Sequence, residues 1–180
     1  MLFSFITTSL DGYYEGPNQE FDWPVVDEEF LAFSVEQLDT IDTLLFGRIT
    51  YEGMAEYWTS PEAAEDSPEI AHRMNTVDKL VASRTLTSAS WAPTRVLSDD
   101  VAASLKELKR DRTIGIFGSS ALTASLLPLG VVDELRIMVN PVALGAGMSV
   151  LHTATERIPL RLLRVRPFDS GNVLLTYAPQ

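Results

Sequence analysis

Apolar and polar positions fall along this chain in short blocks that switch between a period of two and a period near 3.6. Residues 2–9 are an apolar, β-branched run closed by Asp11-Gly12, which predicts a strand and then a turn. Residues 13–24 carry Gly16, Pro17, Asn18 and Pro24 and read as a loop. Asp27 offers an N-cap, and Leu31, Val35 and Leu38 recur at i, i+4 and i+7 with Phe30 beside them, which predicts an amphipathic helix. Residues 43–46 are almost wholly apolar and end at Gly47, as expected of a strand covered on both faces. Tyr51, Met54, Ala55 and Trp58 then repeat at helical spacing, and the acidic, Pro-punctuated segment 60–67 reads as a surface loop.

Further strands are predicted at 79–82 and 94–97. Ser98 is placed to cap a helix with Val101, Leu105 and Leu108 on one face. Residues 113–117 form a strand, Gly118-Ser-Ser120 a turn, and 121–129 a helix ended by Gly130. After that point the pattern changes. Leu135, Ile137 and Val139 alternate with Glu134, Arg136 and Met138, the mark of a half-exposed strand. Residues 141–147 are Gly-rich, and 160–168 and 173–177 flank Asp169-Ser-Gly-Asn172 as a hairpin would. The predicted architecture is α/β: a doubly wound, mostly parallel sheet with antiparallel C-terminal strands, in one domain over residues 1–180.

Composition narrows the function classes. Among 180 residues, 46% are hydrophobic and 22% charged, enough for a sizeable core. A net charge of −11 and a pI near 4.5 speak against a nucleic-acid partner, since phosphate backbones are bound by clustered Lys and Arg. With no cysteine, thiolate catalysis and Cys-based zinc sites are excluded. His72 and His152 are isolated from one another, so neither a Ser-His-Asp triad nor a His-based metal site is expected. The apolar start lacks a basic leader, and no run approaches the ~18 residues that span a bilayer. The expectation is a cytoplasmic protein with a small-molecule partner and no membrane.

In a doubly wound sheet, ligands bind beyond the carboxyl ends of the strands. Four segments fall there: Thr7-Thr-Ser-Leu-Asp-Gly12, Gly47-Arg-Ile-Thr-Tyr-Glu52, Ser83-Arg-Thr-Leu86 and Gly118-Ser-Ser-Ala-Leu122. Two of them open a helix, whose free N–H groups suit a phosphate. Gly47 and Gly118 allow close backbone approach, and Arg48 and Arg84 add cations. Taken singly, each segment reads equally as a turn, a cap or a solvated arginine; their joint occurrence in order carries the weight.

On these segments, together with Val132-Asp-Glu-Leu-Arg136 and Asn140-Pro-Val-Ala-Leu-Gly-Ala-Gly147, the chain resembles the dihydrofolate-reductase-like family. Within it, the chain is similar to stand-alone relatives of the reductase domain of bacterial riboflavin biosynthesis. The resemblance implies an NADPH site and a reductase acting on a small pterin- or pyrimidine-like heterocycle. It assigns Gly47, Arg48 and Thr50 to the pyrophosphate, and Ser83, Arg84 and Thr85 to the adenosine 2′-phosphate. Gly118, Ser119, Ser120, Ala121 and Leu122 would lie under the pyrophosphate and nicotinamide, and Thr8 would face the nicotinamide amide. The chain departs from relatives in having Ser119 and Ser120 where a second glycine is common.

For acid–base work the candidates are Asp11, Asp27 and Glu28. Asp27 and Glu28 follow Trp23 much as a folate-reductase carboxylate would, but they equally form a charged first helical turn, and Asp11 equally serves the turn. Two rivals remain: a true dihydrofolate or deaminated-pyrimidine reductase, and a nucleotide or small-molecule binding protein of the same fold without turnover. The apolar late strands, and the habit of relatives in the riboflavin branch, point to a homodimer through the C-terminal hairpin.

Overall fold

The computed structural model describes all 180 residues. In chain order its elements are β1 (Leu2–Thr8), β2 (Tyr13–Glu15), α1 (Glu28–Leu38), β3 (Thr43–Gly47), α2 (Arg48–Trp58), α3 (Pro61–Asp66), α4 (Pro68–Thr76), β4 (Asp78–Ala82) and β5 (Thr94–Leu97). They continue as α5 (Val101–Leu108), β6 (Ile114–Phe117), α6 (Ser120–Leu126), a 3₁₀ turn (Leu127–Leu129), β7 (Glu134–Val139), β8 (Met148–Ser149), β9 (Leu160–Pro167) and β10 (Val173–Pro179). Eight strands form one sheet in the order β5-β4-β3-β6-β1-β7-β10-β9, while β2 and β8 pair apart as a small ribbon. From β5 to β7 every pairing is parallel; β10 runs antiparallel to both β7 and β9. No helix is long and apolar enough to cross a membrane.

The apolar runs are explained by what covers them. On one face Phe3, Phe5, Leu44 and Phe46 pack with Phe33 of α1, Tyr51 of α2 and Ile70 and Met74 of α4. On the other, Leu2, Leu45, Ile114 and Ile116 pack with Leu105 of α5 and Leu126 of α6. Leu44, Leu45 and Phe46 are 0% exposed, so consecutive residues of β3 are buried on opposite faces. Each such side chain contributes roughly 1.5–3 kcal/mol of burial. Ser4 and Thr123 share a buried hydroxyl–hydroxyl bond of 2.7 Å that fixes α6 against β1.

Lys79 is buried as well, at the amino end of β4. Its Nζ donates to the carbonyls of Val77 (2.8 Å), Asn75 (3.4 Å) and Ala92 (3.4 Å), and it lies 4.5 Å from the centre of the Trp91 ring. Burial pushes this amine down to about 8.

Three local readings are corrected. Residues 60–67 are not a loop: Ser60 caps α3, Pro61 and Pro68 stand in the first turns of α3 and α4, and the acidic stretch is helical between them. Proline inside a helix start is favoured because its missing N–H would be unpaired anyway. Asp100, not Ser98, caps α5, its carboxylate accepting from Ala103 N at 3.1 Å. The segments around residues 13 and 148 are not wholly irregular, since β2 pairs with β8.

Candidate functional site

The carboxyl edge of the sheet contains a topological switch. From β3 the chain turns onto the first face as α2; from its neighbour β6 it turns onto the opposite face as α6. A crevice opens wherever neighbouring strands send their connections in opposite directions. Gly47 and Gly118 stand on its two sides, and the Gly47 N–H donates to Ser119 Oγ at 3.1 Å.

Both glycine turns lead into helices without a side-chain cap. Asp27, Ser60 and Asp100 cap α1, α3 and α5, but the N-cap positions of α2 (Gly47) and α6 (Ser119) make no side-chain bond to their helices. Their first-turn N–H groups therefore have no capping side chain, as at α4 (Ser67), but here the two helix starts lie side by side. Gly47 itself has φ −76°, which any residue adopts, and a Cβ there would meet nothing nearer than 3.9 Å. Neither backbone nor packing requires glycine at 47, and its bareness leaves the turn open to close approach from outside the chain. Gly118 differs: φ is +64°, and a Cβ would lie 3.5 Å from Thr50 Cγ2, which brings the start of α2 against this turn.

Ser119 adopts φ +44° and ψ +49°, a left-handed conformation that costs a side-chain-bearing residue roughly 1 kcal/mol or more. The surrounding structure holds it there through the bond to Gly47. As an acceptor in that bond, the hydroxyl keeps its own proton free to donate. Ser120 is buried and its Oγ accepts from Leu151 N at 2.9 Å, tying α6 to the segment after β8. Ala121 is exposed, and Leu122 lies under Gly47.

Beyond β4, Ser83 Oγ accepts from Thr85 N (3.2 Å) and Leu86 N (3.0 Å) and folds the turn that presents Arg84. Arg84 is exposed and makes no ion pair, whereas Arg48 is held by Glu52 at 2.9 Å. A cleft of about 420 Å³ runs from this turn towards α6, lined by Ser83, Arg84, Leu97, Val101, Leu122 and Ser125. A larger recess, about 540 Å³, is lined by Pro128, Asp133, Pro179 and Gln180, beyond the end of α6 and beside the start of β7.

The other half of the edge is built around the ends of β1 and β7. Thr8 is buried, and its carbonyl accepts from Asn140 N at 2.8 Å. Asp11 accepts from Ser9 Oγ (2.6 Å), Gly145 N (2.8 Å) and Leu144 N (3.1 Å), fastening the first turn to the Gly-rich loop. The Ser9 hydroxyl, followed by the Gly145 amide, holds this carboxyl down to about 2. It is thus ionised throughout the neutral range. Asp27 caps α1 by accepting from Phe30 N at 2.8 Å, and Glu28 beside it is exposed.

Sequence reasoning did not single out Asn140 as a site residue. It is 1% exposed, and its Oδ1 accepts from Val25 N at 2.8 Å, while Asn172 Nδ2 donates to Val25 O at 3.0 Å. Together they hold residues 23–27 over the end of β7. The Asn140-Pro141 pair was the available signal, a turn residue before a proline directly after a strand.

The RibD C-terminal domain profile matches residues 1–174. The chain belongs to that family. It is 30% identical over 174 residues to the uncharacterised protein YyaP of Bacillus subtilis (strain 168), covering 96% of this chain and 91% of that protein. Among solved structures it is similar to a diaminohydroxyphosphoribosylaminopyrimidine deaminase/5-amino-6-(5-phosphoribosylamino)uracil reductase from Thermotoga maritima. The TM-score is 0.73 at 12% identity, over 100% of this chain and 56% of that one. It is also similar to a dihydrofolate reductase from Enterococcus faecalis complexed with NADP(H), with TM-score 0.65 and 17% identity over 100% and 96% of the two chains. The sheet order and antiparallel C-terminal strands are thus those of the dihydrofolate-reductase-like fold.

Proposed function

We propose that the protein is an NADPH-dependent reductase of a small planar heterocycle, of pterin or pyrimidine type. One observation carries this reading beyond family membership. Two uncapped helix N-termini stand side by side at the topological switch, joined by the Gly47–Ser119 bond of 3.1 Å. Unpaired N–H groups and the positive ends of two helices form a seat for a diphosphate. Gly47, Arg48 and Thr50 would hold it from one side, and Gly118 to Leu122 from the other. Ser83, Arg84 and Thr85 would take the adenosine end in the adjoining cleft. Arg84, free of any carboxylate, is suited to a 2′-phosphate and so to NADP over NAD. When bound there, NADPH supplies the reducing equivalent.

The chain's own task is placement and exclusion of water. Thr8 and Asn140 fix the ends of β1 and β7 where the substrate ring would lie. Asp11 is a positioning residue that holds the 141–147 loop. With Asp11 ionised and Asp27 committed to its helix cap, the proton comes from Glu28 or from a water that enters with the substrate. The alternative of a binding protein without turnover predicts cofactor binding with no oxidation. NADPH oxidation followed across a panel of reducible pterins and pyrimidines separates the two: turnover of at least one supports the reductase, and binding without any turnover supports the alternative.

The same reading includes a homodimer. Leu162, Leu163 and Val165 on the edge strand β9 are 50%, 42% and 50% exposed, and α5 and α6 cluster with β3 to β6 instead. An open apolar edge is a liability unless covered. Sedimentation equilibrium at micromolar concentration gives about twice the chain mass if this holds, and 19.9 kDa if it does not.

A further inference from the structure

The substrate half of the site differs in charge from anything built to hold a phosphate. No Lys or Arg occurs before Arg48, and none occurs between Arg136 and Arg157. These are the two stretches that form the ends of β1 and β7 and the loops over them. The first carries Asp11, Glu15, Glu20 and Asp22, then Asp27 to Glu29 at the start of α1. Hydrogen bonds bring the two stretches together: Leu10 N to Val142 O (2.7 Å), Val25 N to Asn140 Oδ1 (2.8 Å), and the Asp11 carboxylate to Leu144 and Gly145. Two of the nearby guanidiniums are already committed, while Arg164, beside Arg136 and in register with Thr176 in mid-strand, has no carboxylate partner. Arg166 pairs with Glu36 (3.0 Å) and Glu29 (3.9 Å) while stacking on Phe33 and Phe168, and Arg136 pairs with Glu134 at 2.9 Å beneath α1. The β9–β10 turn adds Asp169, whose amide donates to Glu29.

What this half offers instead is apolar. Leu10, Phe21 and Val26 are 70%, 58% and 57% exposed, and Phe21 meets Trp23 edge-on at 5.5 Å. The Trp23 indole N–H is buried and has no acceptor within the chain. Aromatic and aliphatic side chains with a spare donor suit a neutral ring bearing carbonyl or ring-nitrogen acceptors.

We infer that the substrate is a planar heterocycle carrying no phosphate or carboxylate. This rests on the reductase reading of the edge and sharpens it. An anionic tail would enter a half whose two stretches carry several carboxylates and, His152 apart, no basic side chain, and like charges set against one another discriminate by repulsion.

The test uses matched pairs that differ only in a terminal phosphate: dihydroneopterin and its monophosphate, 5-amino-6-ribitylaminouracil and its phosphate, and riboflavin and its phosphate. Each is titrated by calorimetry into protein saturated with NADP⁺, at low and at moderate salt. At least one unphosphorylated member should bind about tenfold or more tightly than its phosphorylated partner, since one desolvated like-charge contact is worth that much. The phosphorylated member should gain affinity as salt rises, because screening weakens repulsion. The exposed pair Asp22→Lys and Glu28→Lys, combined, should narrow the gap several-fold. Equal or tighter binding of the phosphorylated member in any pair, affinity for it that falls with salt, or no binding by any unphosphorylated member overturns the inference. A melting shift with NADPH in the same samples keeps the two ideas apart: its absence defeats the reductase reading, while its presence beside phosphate preference defeats this inference alone.

Discussion

The two halves of the carboxyl edge use the same sheet in opposite ways. Around β3, β4 and β6 the backbone is left open: two helix starts without caps, a glycine that no packing requires, and an arginine without a carboxylate. Around β1 and β7 the backbone is closed: Asp11, Asn140 and Asn172 each bind main-chain groups across long stretches of sequence. The open half suits an anion whose own oxygens complete the hydrogen bonding. The closed half spends most of its polar side chains on its own backbone and leaves few free, the Trp23 indole N–H among them, so shape, apolar contact and that donor are left to select a ring. A protein with net charge −11 can thus hold an anionic cofactor because donors are concentrated at one crevice, whatever the total.

The largest effect that would sharpen the contrast comes from Arg84. Arg84→Ala removes a charge-assisted bond of ~1.5–3 kcal/mol, so NADPH should bind about tenfold or more weakly while NADH is nearly unchanged. Equal losses for both cofactors in a fluorescence titration would move Arg84 away from the 2′-phosphate.

In the closed half, Asp11→Asn should speed hydrogen exchange at the Leu144 and Gly145 amides about tenfold or more, the weight of one charge-assisted bond, without altering cofactor affinity. The pH dependence has a defined sign. Native Asp11 binds its proton less readily than an ordinary Asp near 4, so its tether is complete above about pH 4 and is lost as pH falls through about 2. Protection of the Gly145 amide, its exchange rate taken relative to the intrinsic rate at each pH, should therefore fall across that window in the parent and stay flat in the variant; an identical acid response in both would break the tether.

Ser119→Gly sits on the boundary of the open half. It relieves the left-handed strain but deletes the bond to Gly47, two terms of about 1 kcal/mol each. Stability should move by less than ~1 kcal/mol, while NADPH binding weakens about threefold as the two turns lose their pin. Tighter binding would instead mark the serine as mere strain in the seat. Smallest of all is Asp27→Asn. Asn caps a helix about as well as Asp, so melting temperature and turnover should both stay within about twofold or its thermal equivalent. A collapse of turnover alone in steady-state kinetics would make Asp27 the proton donor.

The open half was legible in the sequence because its features are local. A glycine directly after an apolar strand and before a helix-periodic run marks a strand-end turn wherever the strand lies, as Gly47 and Gly118 do. What residue order alone does not convey is that β3 and β6, 67 positions apart between Gly47 and Ile114, are neighbours with opposite connections. The closed half was largely hidden for the same reason. Asp11 reads as a turn residue until Gly145 is beside it, and Asn140 reads as a loop start until Val25 lies across it. In the fold, the strands of the main sheet and α1 followed from periodicity; the short pair β2–β8 and helix α4 did not, and α3 was missed because acidic residues and prolines resemble a loop when they are in fact a helix start.

If the open half is a dinucleotide seat, NADPH must raise the melting temperature of the protein. A ligand bound by the native state alone raises stability with the logarithm of its concentration. The melting temperature should keep rising with the logarithm of cofactor concentration above the dissociation constant, and rise more with NADPH than with NADH. No shift with either cofactor at millimolar concentration would contradict it.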